Sequence, residues 1–157
     1  TIAYLTISNL VGSDMVGYTA NFDTRNAGSN KIVTISSVLT GTNNYQVFNS
    51  FTSANIFQRL LNITFTGLSK VYNSFLPGQS IYSISGIING DIVDISNIYT
   101  STFIDVFVGN NKLMYIDNIN LIGQDYFNYV TSISGYTIGN ITQATITPTF
   151  YINKYYF

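Results

Sequence analysis

The sequence contains no histidine, cysteine, tryptophan or glutamate, and only two prolines. Without histidine or cysteine, the chain cannot build a zinc site of the usual kind, a Ser-His or Cys-His nucleophile, or a disulfide. Charged residues are also scarce, since Lys and Arg total 6, Asp totals 7 and the net charge is -1. Six scattered cations cannot neutralise many phosphates, so a nucleic-acid partner is excluded.

Long hydrophobic runs and a signal-type beginning are missing as well. No segment approaches the ~20 consecutive apolar residues of a transmembrane helix. No basic stretch followed by an apolar core opens the chain, so we expect no signal peptide within it. The first residue is not methionine, which predicts a processed chain or a segment of a longer one. Disorder is disfavoured because 46% of the residues are hydrophobic and only 8% are charged.

Strand-forming and turn-forming residues make up most of the chain. Ile and Thr are abundant, Tyr occurs 13 times and Phe 11 times, and these side chains favour strands. Asn is abundant too and Gly occurs 12 times, and both favour turns. Few residues of high helix propensity remain, because Glu is absent and Lys is rare. The composition therefore predicts an all-β protein with no significant helix.

Alternation of apolar and polar residues marks the candidate strands. It runs through residues 144–153, 61–66 and 82–85, and predicts strands with one buried and one wet face. Pro148 limits the first of these to a sheet edge or a bend. Residues 53–61 have some helical spacing, but their flanks alternate, so a linking strand is favoured. Turns are predicted where Gly, Asn and Pro cluster, at residues 41–44, 77–78, 89–90, 109–111 and 139–140.

Four blocks of sequence occur twice along the chain, in the same order each time. The first block pairs residues 7–16 with 84–93, and the second pairs residues 22–33 with 103–114. The offset between copies grows slightly along the chain, and only in polar stretches, where loop insertions are tolerated. The sequence therefore predicts two copies of one module of roughly 80 residues. We expect equivalent, largely buried places for Phe22 and Phe103 and for Tyr45 and Tyr129, and matching motif glycines at Gly28 and Gly109.

The second copy resembles a known family. Its motifs begin with Lys70 and Tyr72 in the segment Lys-Val-Tyr-Asn and close with Ala-Thr-Ile-Thr-Pro at residues 144–148. As an ordered set they resemble the YDG-type repeat of filamentous-haemagglutinin-like bacterial surface adhesins. Asn73 and Ser74 stand where the family motif has Asp and Gly. The resemblance implies a β module that occurs in tandem in a long surface protein.

The copy boundaries predict how modules connect. We predict two tandem β-sandwich modules, Ig-like in architecture, at residues 1–58 and 59–151. The first copy lacks the opening strand that leads into Lys70 in the second copy. The chain ends in Lys-Tyr-Tyr-Phe, which resembles the Lys-Val-Tyr-Asn of that strand. Residues 152–157 are therefore predicted to complete a neighbouring module, with the assembly residues Ile152, Lys154, Tyr156 and Phe157.

Few side chains suggest chemistry, and each has an ordinary structural explanation. Lys31, Lys112 and Lys70 could form isopeptide cross-links, but these need a neighbouring acid in an apolar setting, so solvated loop lysines are favoured. Asp14 and Asp91 are matched turn acids, and isolated carboxylates do not provide the clustered oxygens that calcium needs. Turn capping is favoured for both. No cofactor or metal site is predicted.

Two features could involve sugars. The Tyr and Phe residues could stack on a carbohydrate, although packing in the core and at interfaces is the favoured explanation for an aromatic-rich β protein. Asn62 and Asn140 open Asn-x-Thr sequons, which matter only in a glycosylating secretory system. In a chain so rich in Asn and Thr, chance occurrence is favoured.

The sequence predicts a structural protein without a catalytic role. An enzyme would need a paired carboxylate, for instance two of Asp91, Asp94 and Asp105. The low charge leaves strand edges poorly protected, which favours a subunit whose edges are occupied by its neighbours. We expect a segment of an extracellular or cell-surface fibre, stalk or adhesin, assembled head-to-tail from identical units. The alternative is a carbohydrate- or host-binding adhesin module, or a fibre on a virion surface.

Overall fold

The computed structural model describes residues 8–39, 45, 48 and 50–156. In these residues the secondary structure consists of strands and one three-residue 3-10 helix, so the predicted all-β class is confirmed. Residues 53–61 contribute to strands and not to a helix, as predicted. The strands are β1 (Val16–Phe22), β2 (Gly28–Leu39), β3 (Ser50–Ile56), β4 (Arg59–Leu60), β5 (Asn62–Gly67), β6 (Lys70–Val71), β7 (Ser80–Ser85), β8 (Asp94–Ile95), β9 (Thr100–Phe103), β10 (Gly109–Asp117), β11 (Leu121–Ile122), β12 (Tyr129–Val130) and β13 (Gly135–Thr142), and the 3-10 helix is Tyr126–Asn128.

The chain divides into two compact units. Unit 1 contains the described residues up to Arg59, together with Phe127–Tyr129. Unit 2 contains Leu60–Tyr126 and the described residues from Val130 onward. Each unit has an antiparallel or mixed sheet of its own.

Unit 1 contains a three-stranded antiparallel sheet in the order β1–β2–β3. Phe22 lies opposite Val33, and Val33 lies opposite Thr52, so these side chains share one face. Val33 is buried, but Phe22, which we expected to be largely buried, is only half-buried. The neighbouring Ala20 and Ser50 on the same face are exposed, so this face of the sheet is only partly covered.

Unit 2 contains two groups of strands that pack on one core. The larger sheet has the order β6–β13–β10–β9, in which the β6–β13 pair is parallel and the other pairs are antiparallel. The antiparallel pair β5–β7 packs its apolar side chains against this sheet, and β8 pairs with β11. The buried core cluster consists of Ile95, Phe103, Met114, Ile116, Ile119 and Ile141.

The strands β5 and β7 have the predicted alternation. Ile63 and Phe65 on β5 and Tyr82 and Ile84 on β7 are half-buried against the core, whereas the residues between them are exposed. The rings of Phe65, Tyr82 and Tyr99 lie 5.6 to 6.3 Å apart in tilted or edge-on arrangements, which aromatic pairs favour. This cluster forms the cover over the larger sheet.

Two of the predicted turns are wrong. Residues 109–111 belong to β10 and residues 139–140 belong to β13. The pairing register of these strands shifts between Gly109 and Lys112, and Asn111 adopts a left-handed φ of 51°. The Gly and Asn residues therefore serve a β-bulge, which uses the same residue types as a turn because both need unusual backbone angles.

The other predicted turns have different outcomes. Residues 89–90 form the expected turn, with Gly90 at a φ of 92°. The turn predicted at 77–78 is wrong, because Pro77 forms an antiparallel bridge with Thr102. The turn predicted at residues 41–44 lies outside the described residues.

The strand predicted at residues 144–153 is also absent. β13 ends at Thr142, and residues 143–156 form no strand and are all exposed. The alternating pattern is present, but no described strand pairs with this segment, and Pro148 lacks an N–H for a ladder. An alternating pattern alone therefore does not make a strand, because the ladder hydrogen bonds need a second strand.

Candidate functional site

The same strand pairing occurs in both units at one constant offset. Phe22 lies opposite Val33 in unit 1, and Phe103 lies opposite Met114 in unit 2. Just beyond these pairs, the backbone N–H of residue 23 donates to the carbonyl of residue 32 at 2.9 Å, and that of residue 104 donates to the carbonyl of residue 113 at 3.0 Å. The two units therefore hold corresponding residues in corresponding places.

The bulge in the second strand also occurs in both units. In unit 1 the register shifts between Gly28 and Lys31, as it does between Gly109 and Lys112 in unit 2. Asn30 adopts a φ of 53°, close to that of its counterpart in unit 2. Gly28 and Gly109 therefore have matching places at the two bulges.

Each bulge carries a lysine that pairs with an aspartate. Lys31 Nζ lies 3.7 Å from Asp23 Oδ1, and Lys112 Nζ lies 2.5 Å from Asp105 Oδ1. The hydrogen bond from Lys112, aided by the backbone N–H of Phe107, lowers the pKa of the Asp105 carboxyl. Ion pairing accounts for both lysines without a cross-link.

The predicted turn acids also have matching backbone geometry. The N–H of Asp14 donates to the carbonyl of Val11 at 3.3 Å, and that of Asp91 donates to the carbonyl of Ile88 at 3.0 Å. Tyr45 donates its hydroxyl to Asp14 Oδ2 at 2.7 Å, and this bond raises the pKa of the Tyr45 hydroxyl. No group of three or more metal-ligating side chains occurs among the described residues.

The two units differ in how their sheets are covered. In unit 2, Phe103 is 1% exposed and Met114 is fully buried, because β5 and β7 lie over them. In unit 1 the corresponding pair is the half-buried Phe22 and the buried Val33, and the neighbouring Ala20 and Thr52 on the same face are exposed. Among the described residues, unit 1 has no strand that corresponds to β5 or β6. We name this face the open face of unit 1; on it Ala20 and Thr52 are exposed, Phe22 and Ile35 are half-buried and Val33 is buried.

Lys70 shows what the covering segment does in unit 2. Its Nζ donates to Asn73 Oδ1 at 3.1 Å, to the carbonyl of Pro77 at 3.0 Å and to the carbonyl of Phe75. The same Nζ lies 5.4 Å from the centroid of the Phe103 ring, within the range of a cation–π contact. Lys70 thus closes the loop after β6 and joins that loop to the core. The structure brings Lys70 and Phe103 together, and both were motif residues in the sequence analysis.

The predicted assembly residues lie in the exposed segment after β13. Ile152 is 90% exposed and Tyr156 is 91% exposed, and neither is in a strand. Lys154 is also exposed, with its Nζ 5.2 Å from the centroid of the Tyr156 ring. Phe157 lies outside the described residues. We name residues 143–156 the carboxyl-terminal segment.

The remaining predicted residues have varied surroundings. Tyr129 is buried as expected, whereas Tyr45, which we also expected to be largely buried, is only half-buried. Asn62 is exposed on β5, so its side chain is accessible. Asn140 is half-buried, and its Oδ1 accepts a hydrogen bond from the N–H of Asn111 at 2.9 Å, which disfavours a glycan there.

A groove in unit 2 was missed by the sequence reasoning. It has a volume of about 640 Å³ and lies between β5 and the residues that lead into β13. Tyr136, at its rim, is 75% exposed. Residues 131–134 carry no periodic signal and are far from β5 in sequence, so their meeting could be found only in the folded chain. The polar lining is neutral and consists of Asn62, Thr64, Thr131, Ser132 and Ser134.

No helix in the described part of the chain is both long enough and apolar enough to cross a membrane. Comparison of the chain with protein-family models, with curated protein sequences and with solved structures finds no significant match.

Proposed function

We propose that this protein is a structural segment of an extracellular fibre, stalk or adhesin, built from tandem β-sandwich modules and assembled head-to-tail by strand pairing. The observation that carries the proposal is that the open face of unit 1 is only partly covered, whereas the equivalent face of unit 2 is buried under β5 and β7. A partly covered sheet face and a segment that alternates like a strand but has no partner strand favour association with another copy.

The tandem-module part of the proposal rests on backbone register. The pair Phe22–Val33 and the pair Phe103–Met114 are related by one constant offset, and both units place a bulge at the same distance from them. Two antiparallel sheets without a common origin have no reason to share both the register and the position of the bulge. With a covering layer added, unit 1 would resemble unit 2, in which β5 and β7 pack against the larger sheet, and we propose that both units are Ig-like sandwiches.

Head-to-tail assembly follows from the difference between donor and acceptor. The carboxyl-terminal segment and the open face are different surfaces, so a contact between them in two copies is heterologous. Such contacts propagate into an open filament unless the rotation between copies closes a ring. The low charge of the chain fits a subunit whose edges are covered by its neighbours.

Electron microscopy and light scattering of the purified chain test this function. We expect filaments whose mass grows with protein concentration, and deletion of residues 152–157 should abolish them while unit 2 stays folded. The control variant is Tyr151→Ser, which changes an exposed residue outside the deleted segment and should leave filaments intact. A monomer at all concentrations, or filaments that survive the deletion, would contradict the proposal.

We propose no catalytic role for the acidic residues. Asp94 Oδ1 accepts a hydrogen bond of 2.7 Å from the Tyr82 hydroxyl, and Asp105 pairs with Lys112. Each of these carboxylates has a structural partner of its own, which argues against the paired carboxylates of a hydrolase. We also propose an extracellular or cell-surface location, with a virion surface as the alternative.

The groove beside β5 favours a second candidate function, binding of a neutral saccharide at a cell surface. Its polar lining consists of hydroxyl and amide groups, and the exposed Tyr136 ring offers a stacking surface. A glycan array with the wild-type chain and with Tyr136→Ala tests this candidate. Binding that Tyr136→Ala abolishes would support it, with Tyr151→Ala, an exposed tyrosine that does not line the groove, as the control. An array without binding would contradict it.

A further inference from the structure

We propose that residues 152–156 of one copy add to unit 1 of a second copy in the register that residues 68–72 adopt in unit 2. Lys154 then lies alongside Ile56 of the second copy, with its Nζ over the Phe22 ring. This inference rests on the proposed head-to-tail assembly and specifies its contact residue by residue.

The template is the parallel pair β6–β13 in unit 2. Lys70 lies opposite Ile141, and Val71 lies opposite Thr142. The N–H of Tyr72 then donates to the carbonyl of Thr142 at 2.8 Å. A short parallel strand therefore extends the sheet at the end of β13.

Backbone register identifies the same place in unit 1. Gly28 lies opposite Ile56 just before the bulge, as Gly109 lies opposite Ile141. Ile56 at the end of β3 is therefore the counterpart of Ile141. A segment with the sequence Lys-Tyr-Tyr in place of Lys-Val-Tyr would put Lys154 opposite Ile56 and Tyr155 opposite Phe57.

The lysine has a matching ring on the acceptor. Phe22 occupies in unit 1 the place of Phe103 in unit 2, since each begins the pairing of its sheet from the same end. In unit 2 the cation of Lys70 lies over that ring. The half-buried Phe22 can therefore receive the cation of Lys154 when the segment docks.

Both partners are free to meet. In the described part of unit 1, β3 is an edge strand that pairs with β2. Phe57, at the proposed docking edge, is 84% exposed, and Tyr155 in the donor segment is 77% exposed. Docking would pair backbone groups that have no strand partner in the described part of the chain, and would bury apolar surface on both sides.

Glycine positions set the limit of the register. A Cβ at Gly67 would lie 2.4 Å from the carbonyl oxygen of Ile138, so a side chain cannot occupy that place. In the proposed register, Tyr151 of the donor copy would take the place in unit 1 that Gly67 has in unit 2. A side chain does not fit there, so the matched register begins at Ile152. Ala54 stands where unit 2 has Gly139, whose added Cβ would lie 3.0 Å from the Leu68 carbonyl oxygen. The donor segment must therefore lie slightly farther out than residues 68–72 do.

Disulfide trapping between two single-cysteine variants tests the register. The natural chain has no cysteine, so a mixture of Phe57→Cys and Tyr155→Cys can form one kind of mixed dimer. Opposite residues on paired strands are about 5 Å apart, which suits a disulfide. One variant carries an affinity tag, so the mixed dimer is separated by size on a non-reducing gel. The control pairs Phe57→Cys with Tyr151→Cys, which is as exposed but out of register.

We expect the mixed dimer of the matched pair to exceed that of the control pair about tenfold, because docking raises the effective concentration of the two thiols. Equal yields of mixed dimer from the matched and control pairs would overturn the register. If filaments still form in that case, the proposed head-to-tail assembly stands and only its register is wrong. Absence of both filaments and mixed dimer overturns both proposals. In a double variant, a disulfide that forms only within single chains would also overturn the proposal, because the segment would then fold back on its own chain.

Discussion

Asn111 donates its backbone N–H to Oδ1 of Asn140 across the β10–β13 pair, with an N···O distance of 2.9 Å. The bond ties the bulge residue, with its left-handed φ, to the neighbouring strand. Unit 1 has the same bond at the same length, from Asn30 to Asn55. A side-chain amide thus replaces the backbone partner that the bulge removes from the ladder.

We expect Asn140→Ala to destabilise unit 2 by about 1 kcal/mol, because the Asn111 N–H loses its acceptor. Amide hydrogen exchange should be faster at Asn111 and at its neighbours in β10. The control is Asn62→Ala, an exposed asparagine on β5 that should leave the exchange unchanged. Unaltered exchange at Asn111 in Asn140→Ala would show that this bond does not hold the bulge.

The two matched phenylalanines should differ in their contribution to stability. Phe103 is 1% exposed in the core cluster, so Phe103→Ala should cost about 3–5 kcal/mol. Phe22→Ala should cost clearly less in the isolated chain, because Phe22 is only half-buried. Denaturant unfolding measures both, with the exposed Phe107→Ala as the control. Equal losses for Phe22 and Phe103 would contradict the difference in cover between the two units.

Gly67→Ala should separate β5 from β13. An added Cβ would lie 2.4 Å from the Ile138 carbonyl oxygen, and backbone must move to accept it. Overpacking of this kind costs about 1–3 kcal/mol. Gly135→Ala is the matched control in the same unit, since its nearest neighbour would be at an ordinary 3.8 Å. An unchanged unfolding temperature in Gly67→Ala would mean that β5 and β13 do not approach each other this closely at Gly67.

The Tyr82–Asp94 hydrogen bond should make stability depend on alkaline pH. The bond to the Asp94 carboxylate, with a smaller effect of burial, raises the pKa of the Tyr82 hydroxyl from 10.0 to about 12. A raised pKa means that the stabilisation is fully present below pH 10.0 and is lost as the pH rises through about 12. Wild type should therefore exceed Tyr82→Phe in unfolding free energy at neutral pH, and the difference should shrink between these two values.

Titration of the chain by ultraviolet absorbance checks the same group. One tyrosine should ionise about two pH units above the ordinary value in wild type and be missing in Tyr82→Phe. The control is Tyr136→Phe, which removes an exposed tyrosine without a carboxylate partner and should leave the late step in place. A difference in stability that stays constant across this range would contradict the hydrogen bond.

Local patterns were sufficient for much of the fold. The alternation around Ile63, Phe65, Tyr82 and Ile84 was enough to predict β5 and β7 and their buried faces, because side chains of a strand point alternately to its two faces. The repeated blocks also placed Phe22 and Phe103 at corresponding positions, which the strand registers now match. Gly and Asn were less informative, because they favour turns and bulges for the same reason, and only the pairing of β10 with β13 distinguishes the two.

The sequence by itself determined which segments have strand character and which faces of them are apolar. Only the tertiary structure decided which of those segments acquire partners. Residues 144–153 alternate as well as β5 does, but β5 pairs with β7 whereas no described strand pairs with the carboxyl-terminal segment. The reason is that a strand is stabilised by hydrogen bonds and contacts with a neighbour distant in sequence, so its own residues cannot specify whether that neighbour is present.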